Sequence, residues 1–97
     1  MIVSFRNVGT EDIFDGNNSR EARRLSPQRL WKVAGRKLEQ LDSATALDDL
    51  RVPPGNRLEA LDRDREGQHS IRINDQYRIC FLWTELGAAE VEIVDYH

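Results

Sequence analysis

The spacing of apolar residues changes partway along the chain. In the first half it has helical period. Leu30, Val33, Ala34, Leu38 and Leu41 recur at three- and four-residue intervals behind Ser26-Pro27, a capping residue followed by the imino acid favoured at the first helical position. The pattern predicts a helix from Ser26, with "ATALDDL" adding a turn or two before "VPPGN" stops it. Ahead of it, "MIVSF" alternates and predicts a first strand. "TEDIFDG" predicts a short helix with Thr10 as N-cap and Gly16 as stop, and "NNSREARR" reads as a polar loop.

From Asn56 onward the period is two. "RLEAL", "HSIRI", "YRICFLW" and "AEVEIVDY" predict four strands joined by short polar or glycine-bearing links, an antiparallel meander. Helices in the first half and strands in the second give the α+β class, with the N-terminal strand and helices packed on the sheet. The link Asn74-Asp75-Gln76 predicts a three-residue hairpin loop. In that register Ile71 faces Ile79, Ile73 faces Tyr77 and Arg72 faces Arg78, so the isoleucines share the core side and both arginines stand on the other. Like charges directly opposed destabilise a sheet. Either acids such as Glu90 and Glu92 neutralise the pair, or it receives an anion such as phosphate.

Ninety-seven residues suit one domain, 1–97. A composition 39% hydrophobic and 32% charged belongs to a soluble globular protein, and no apolar run reaches the roughly 18 residues of a membrane span. The opening "MIVSFRNVGTED" has no basic n-region or long apolar stretch, so a cytoplasmic location is expected. Cys80, the single cysteine, has no internal disulfide partner and reads as a buried strand residue more readily than as a reactive thiol. The net charge of −3 hides an asymmetry: between Ser19 and Lys37 seven cations face only Glu21, a local charge of +6. Arg29, Lys32 and Arg36 would share the polar side of the predicted helix. Twelve of the fourteen cations are arginine, whose planar fork suits phosphate or carboxylate.

The chain closes on "VEIVDYH", an alternating strand leading into Asp95, Tyr96 and His97. Histidine titrates near neutrality, and tyrosine or carboxylate can assist it. Beside Arg78 such groups could cleave RNA. One takes the ribose 2′-proton, arginine stabilises charge growing on phosphorus, and another protonates the departing 5′-oxygen. No metal-ligand spacing is present, and neither metal nor cofactor is expected. His69 reads as a strand residue bonded or packed locally, and Trp31 and Trp83 as core or interface residues.

Taken in order and spacing, "PPGNRLEAL", "DREGQHSIRINDQYRICFLW" and "VEIVDYH" resemble the HigB, or plasmid-maintenance killer, toxins of the RelE superfamily, over nearly the whole chain. The resemblance implies a small RelE-like α+β fold and a ribosome-dependent endoribonuclease that cuts messenger RNA and inhibits translation. It also implies inhibition by a HigA-like helix-turn-helix antitoxin, through which the complex would bind operator DNA. Residue by residue, it places catalytic roles on Arg78, Asp95, Tyr96 and His97. Some members carry histidine where this chain has Glu59 and lysine where it has Asp62. Glu59 could still serve as a base, whereas Arg63 or Arg65 would have to replace the missing cation. Arg72, Arg29, Lys32 and Arg36 complete the expected RNA and ribosome contacts. The alternative is a non-catalytic toxin resembling the ParE branch, which binds DNA gyrase and needs no proton-transfer groups beside arginine.

Overall fold

The computed structural model describes residues 1–96, which fold into three α-helices followed by a four-stranded antiparallel sheet. The helices are α1 (Val8–Asp15), α2 (Arg20–Leu25) and α3 (Trp31–Ser43); the strands are β1 (Glu59–Ala60), β2 (Gln68–Arg72), β3 (Tyr77–Thr84) and β4 (Gly87–Asp95). The sheet is a meander in chain order, β1-β2-β3-β4, as the change of period predicts.

Helix starts differ from the sequence reading because side chains with capping chemistry are used elsewhere. Asn7, not Thr10, caps α1: its side chain accepts the Thr10 N–H at 2.9 Å. Thr10 is buried, and its hydroxyl accepts the Ile93 N–H at 3.0 Å, tying α1 to β4. Gly16 ends α1 in the left-handed region at φ 80, as expected. The segment read as a loop contains α2. Ser19 caps it by accepting the Ala22 N–H at 3.0 Å and donates to Asp12 at 2.6 Å. Gly9 lets the two helices meet, since a Cβ there would lie 2.7 Å from the Glu21 carbonyl oxygen. Ser26 is the C-cap of α2 instead of the N-cap of the long helix, which begins through a 3-10 turn at Gln28–Leu30.

The N-terminal segment takes the place expected of a strand but pairs only at isolated parallel bridges, Ile2 with Ala88 and Phe5 with Val91. Gly87, at φ 132, is required at this junction because a Cβ would collide with the Met1 carbonyl. After α3, a 3-10 turn at Leu47–Arg51 is fixed by Asp49, which accepts N–H bonds from Thr45 at 3.0 Å and Ala46 at 3.1 Å. Those bonds hold the Asp49 carboxyl below its ordinary pKa.

One side of the sheet is the core. Ile71, Ile79, Phe81 and Ile93 are wholly buried there, together with Ala34, Leu38 and Leu41 of α3. Each large apolar side chain removed from water contributes roughly 1.5–3 kcal/mol, so this side anchors the fold. The opposite side is left to other chemistry.

Candidate active site

Alternation along the strands puts Ser70, Arg72, Arg78, Cys80, Glu92, Val94 and Tyr96 on the side of the sheet away from α3. The hairpin register is the expected one. Ile71 pairs with Ile79 and Arg72 with Arg78, and the Ile73 N–H donates to the Tyr77 carbonyl at 2.9 Å. Asn74 organises the loop by accepting the N–H groups of Gln76 at 2.9 Å and Tyr77 at 2.7 Å.

The two opposed arginines are relieved in different ways. Arg72 turns into the hairpin loop, ion-paired with Asp75 and donating through Nε to the Asn74 carbonyl at 3.1 Å. Arg78 has no carboxylate partner among the described residues. Its guanidinium carbon instead lies 5.3 Å from the centroid of the Tyr96 ring, and its Nη1 is buried with no hydrogen-bond acceptor. Glu90 pairs with neither arginine, and Glu92 is engaged elsewhere. At 13% exposure, Glu92 is ion-paired with Arg6 Nε at 3.1 Å and with Arg65 Nη1 at 3.6 Å. Arg65 Nη1 also donates to Gln68 Oε1 at 3.1 Å, so its guanidinium is held from two sides.

Tyr96 forms one wall of a cleft of about 300 Å³, whose other wall is the segment Asp62, Arg63, Asp64 and Arg65. Arg63 sits at φ 55, a left-handed conformation uncommon for a residue with a Cβ. Both candidate replacements for the missing cation, Arg63 and Arg65, therefore border the cleft, with the Asp62 carboxylate beside them.

The end of β4 is tied down. The Tyr96 N–H donates to the Gln76 carbonyl at 2.7 Å, and Gln76 Nε2 donates to both oxygens of Asp95 at 3.1 Å. Asp95 sits opposite Tyr77 and so points to the other side of the strand from Tyr96. His97 lies outside the described residues. The structure thus gathers Arg63, Arg65, Arg78 and Tyr96. Glu59 lies on the outer strand opposite Ser70, exposed and two strands from Arg78, roughly 12 Å away by strand spacing and rise. Arg29, Lys32 and Arg36 are exposed at α3, which packs on the core side of the sheet, so they do not join the cleft.

Other residues fall as read. Cys80 is wholly buried, and burial chiefly pushes its thiol pKa up, with Glu92 adding to the rise against Arg65 and Arg78. His69 packs on Phe81 with ring centroids 6.2 Å apart, Trp83 meets Phe81 edge-on at 6.5 Å, and Trp31 donates to the Ser26 carbonyl at 3.2 Å. Arg6 and Gln76 were not singled out from the sequence, because their partners are distant in the chain, and Glu92, expected to neutralise the Arg72 and Arg78 pair, is ion-paired with Arg6 and Arg65 instead. Among the described residues no three His, Cys, Asp or Glu side chains come together as a metal site would require. No helix among them is long and apolar enough to cross a membrane.

Comparison with known proteins identifies the family. Residues 3–97 match the family model described as the RelE-like toxin of type II toxin-antitoxin system HigB. Over its full length the chain is 39% identical to Toxin HigB-1 of Vibrio cholerae, covering 98% of that protein. It is also 42% identical over 57 residues to an uncharacterized protein of Haemophilus influenzae, a match spanning 59% of this chain and 56% of that one. An α+β meander matched over nearly its whole length by one toxin family leaves a single assignment: this chain belongs to the HigB family of RelE-like toxins of type II toxin-antitoxin systems.

Proposed function

We propose that this toxin is a ribosome-dependent endoribonuclease that cuts messenger RNA by side-chain acid-base chemistry, and that its type II partner is a HigA-like helix-turn-helix antitoxin. The observation that carries the reading is Arg78, a cation with no carboxylate partner among the described residues, lying over the ring of the tyrosine that walls an arginine-lined cleft. A buried donor without an acceptor is costly unless something satisfies it, and a phosphate would do so.

In this reading Arg63 and Arg65 receive the RNA backbone and Arg78 stabilises the charge that builds on phosphorus as the 2′-oxygen attacks. The 2′-oxygen loses its proton to one group, and the departing 5′-oxygen takes a proton from another. Tyr96 lines the cleft and lies against Arg78; Asp95 and His97 flank it in sequence, with Glu59 farther off on β1. The ribosome supplies the messenger in a cuttable geometry, which a protein of net charge −3 is poorly equipped to impose on free polyanion. Arg29, Lys32 and Arg36 serve the ribosome contact from the α3 side. The antitoxin, not the toxin, contacts operator DNA, and the toxin acts in the cytoplasm.

The test is cleavage of messenger on purified ribosomes by the wild type and by Arg78→Lys, which keeps the charge but loses the planar fork. Cuts by the wild type that fall sharply in the variant, with both proteins folded, support the proposal. Equal cutting by both, or none by the wild type, overturns it.

A further inference from the structure

Placing Tyr96 against Arg78 requires that the backbone beyond the last ladder pair, Tyr77 with Asp95, stay in register with β3. Strand ends beyond the final pair fray unless something holds them. Here the holder is one residue of the β2–β3 hairpin loop, used twice. The Gln76 main-chain carbonyl accepts the Tyr96 N–H at 2.7 Å, and the Gln76 side-chain amide donates to both Asp95 oxygens at 3.1 Å. Gln76 is itself set by Asn74, whose side chain accepts the Gln76 and Tyr77 N–H groups.

We infer that Gln76 is a positioning residue for the active site: its amide clamps the Asp95 carboxylate and so holds Tyr96 over Arg78. The inference rests on the nuclease reading for its effect on cleavage, though the clamp itself does not. Gln76 is half-buried and outside the apolar core, and its exposed neighbour Asp75 is engaged with Arg72, so neither the core nor the Arg72 pair depends on the Gln76 amide. A carboxylate whose two oxygens are bridged by one amide nitrogen at equal distance is held in place against the loop, and the next residue inherits that restraint. Displacing a catalytic group by about 1 Å costs on the order of 10² in rate; loosening it, with the main-chain bond to Tyr96 intact, should cost about tenfold.

The experiment compares the wild type, Gln76→Met, Asp95→Ala and the double variant on ribosome-bound messenger, with melting temperatures alongside. Methionine keeps the length and stem of glutamine and removes the amide, so a role in packing would be rescued by it. The expected result is a kcat lowered about tenfold in Gln76→Met with KM and melting unchanged, and no further loss when Gln76→Met is added to Asp95→Ala. Full kcat in Gln76→Met, or losses that simply add in the double variant, would overturn the clamp. The Arg78 side-chain proton shifts, set by the Tyr96 ring, give a readout that needs no catalysis. They should move toward solvent values in Gln76→Met, and unmoved shifts would overturn the clamp. Absence of cutting by the wild type would sink the nuclease reading, while the shifts would still decide the clamp.

Discussion

The two sides of the sheet use the same strands for opposite purposes. On the α3 side, Ile71, Ile79, Phe81 and Ile93 are wholly buried among apolar neighbours. On the other side, Ser70 and Cys80 are equally buried, yet they lie among Arg65, Arg78 and Glu92, and Ser70 Oγ and Arg78 Nη1 have no hydrogen-bond partner among the described residues. Burial without satisfaction destabilises. His69 Nδ1, stacked beside Phe81 on the core side, shares that cost, but the charged groups lie on the other side. Holding the fold is therefore largely separated from the polar cluster, and substitutions on the two sides should fail in different assays.

The largest expected effect is on the core side. Phe81→Ala should cost about 3–5 kcal/mol of stability, enough to unfold much of a small domain, and chemical denaturation will measure it; a loss below about 1 kcal/mol would contradict the packing described. Next comes Arg78→Ala, which should lower cleavage on ribosomes by about 10² to 10³, with a denaturation midpoint close to the wild type. Thr10→Val joins the two regions through α1 and β4. It leaves the buried Ile93 N–H without its acceptor and should cost about 1–3 kcal/mol, seen in melts, with the cleavage rate of the folded fraction preserved.

Charge reversal at Arg29, Lys32 and Arg36 should reduce ribosome co-sedimentation and leave melting within about 0.5 kcal/mol, because all three are exposed and none of them pairs with an acid among the described residues. The smallest effect concerns acid. The folded pKa of Asp49 lies below its ordinary 3.8. Its contribution is therefore present above the unfolded pKa and is lost as pH falls through the folded one. Asp49→Asn should flatten the loss of stability with falling pH in that window, measured by melts across it; an unchanged slope would remove Asp49 from the account.

What the sequence disclosed followed from short-range rules. The isoleucine and arginine pairs were legible because a three-residue loop fixes register and alternation then fixes sides. Gly16 was legible because a helix stop needs a left-handed residue. The helix at Arg20–Leu25 was not, since only Ala22 and Leu25 mark its inner side and six residues give periodicity little to act on. Thr10 misled because its hydroxyl serves Ile93, a partner 83 residues away. The same reason hid the role of Gln76 and gave Glu92 the wrong partners, since Arg6 and Arg65 reach it only when the sheet and the N-terminal segment meet. Arg78 was found through its place opposite Arg72 and through the family resemblance, but that no acid among the described residues pairs with it could be seen only once Asp75 had taken Arg72 and Arg6 and Arg65 had taken Glu92.

The central claim is that the polar side of the sheet cuts messenger RNA on the ribosome and that Arg78 is the residue on which cutting depends. Mapping messenger RNA 5′ ends after brief induction of the wild type and of Arg78→Ala tests it most directly, with antitoxin binding confirming that the variant is folded. The account predicts new ends at ribosome-occupied codons with the wild type and their near absence with the variant. Growth arrest by the wild type without new ends, or the same ends from a folded Arg78→Ala protein, would contradict it.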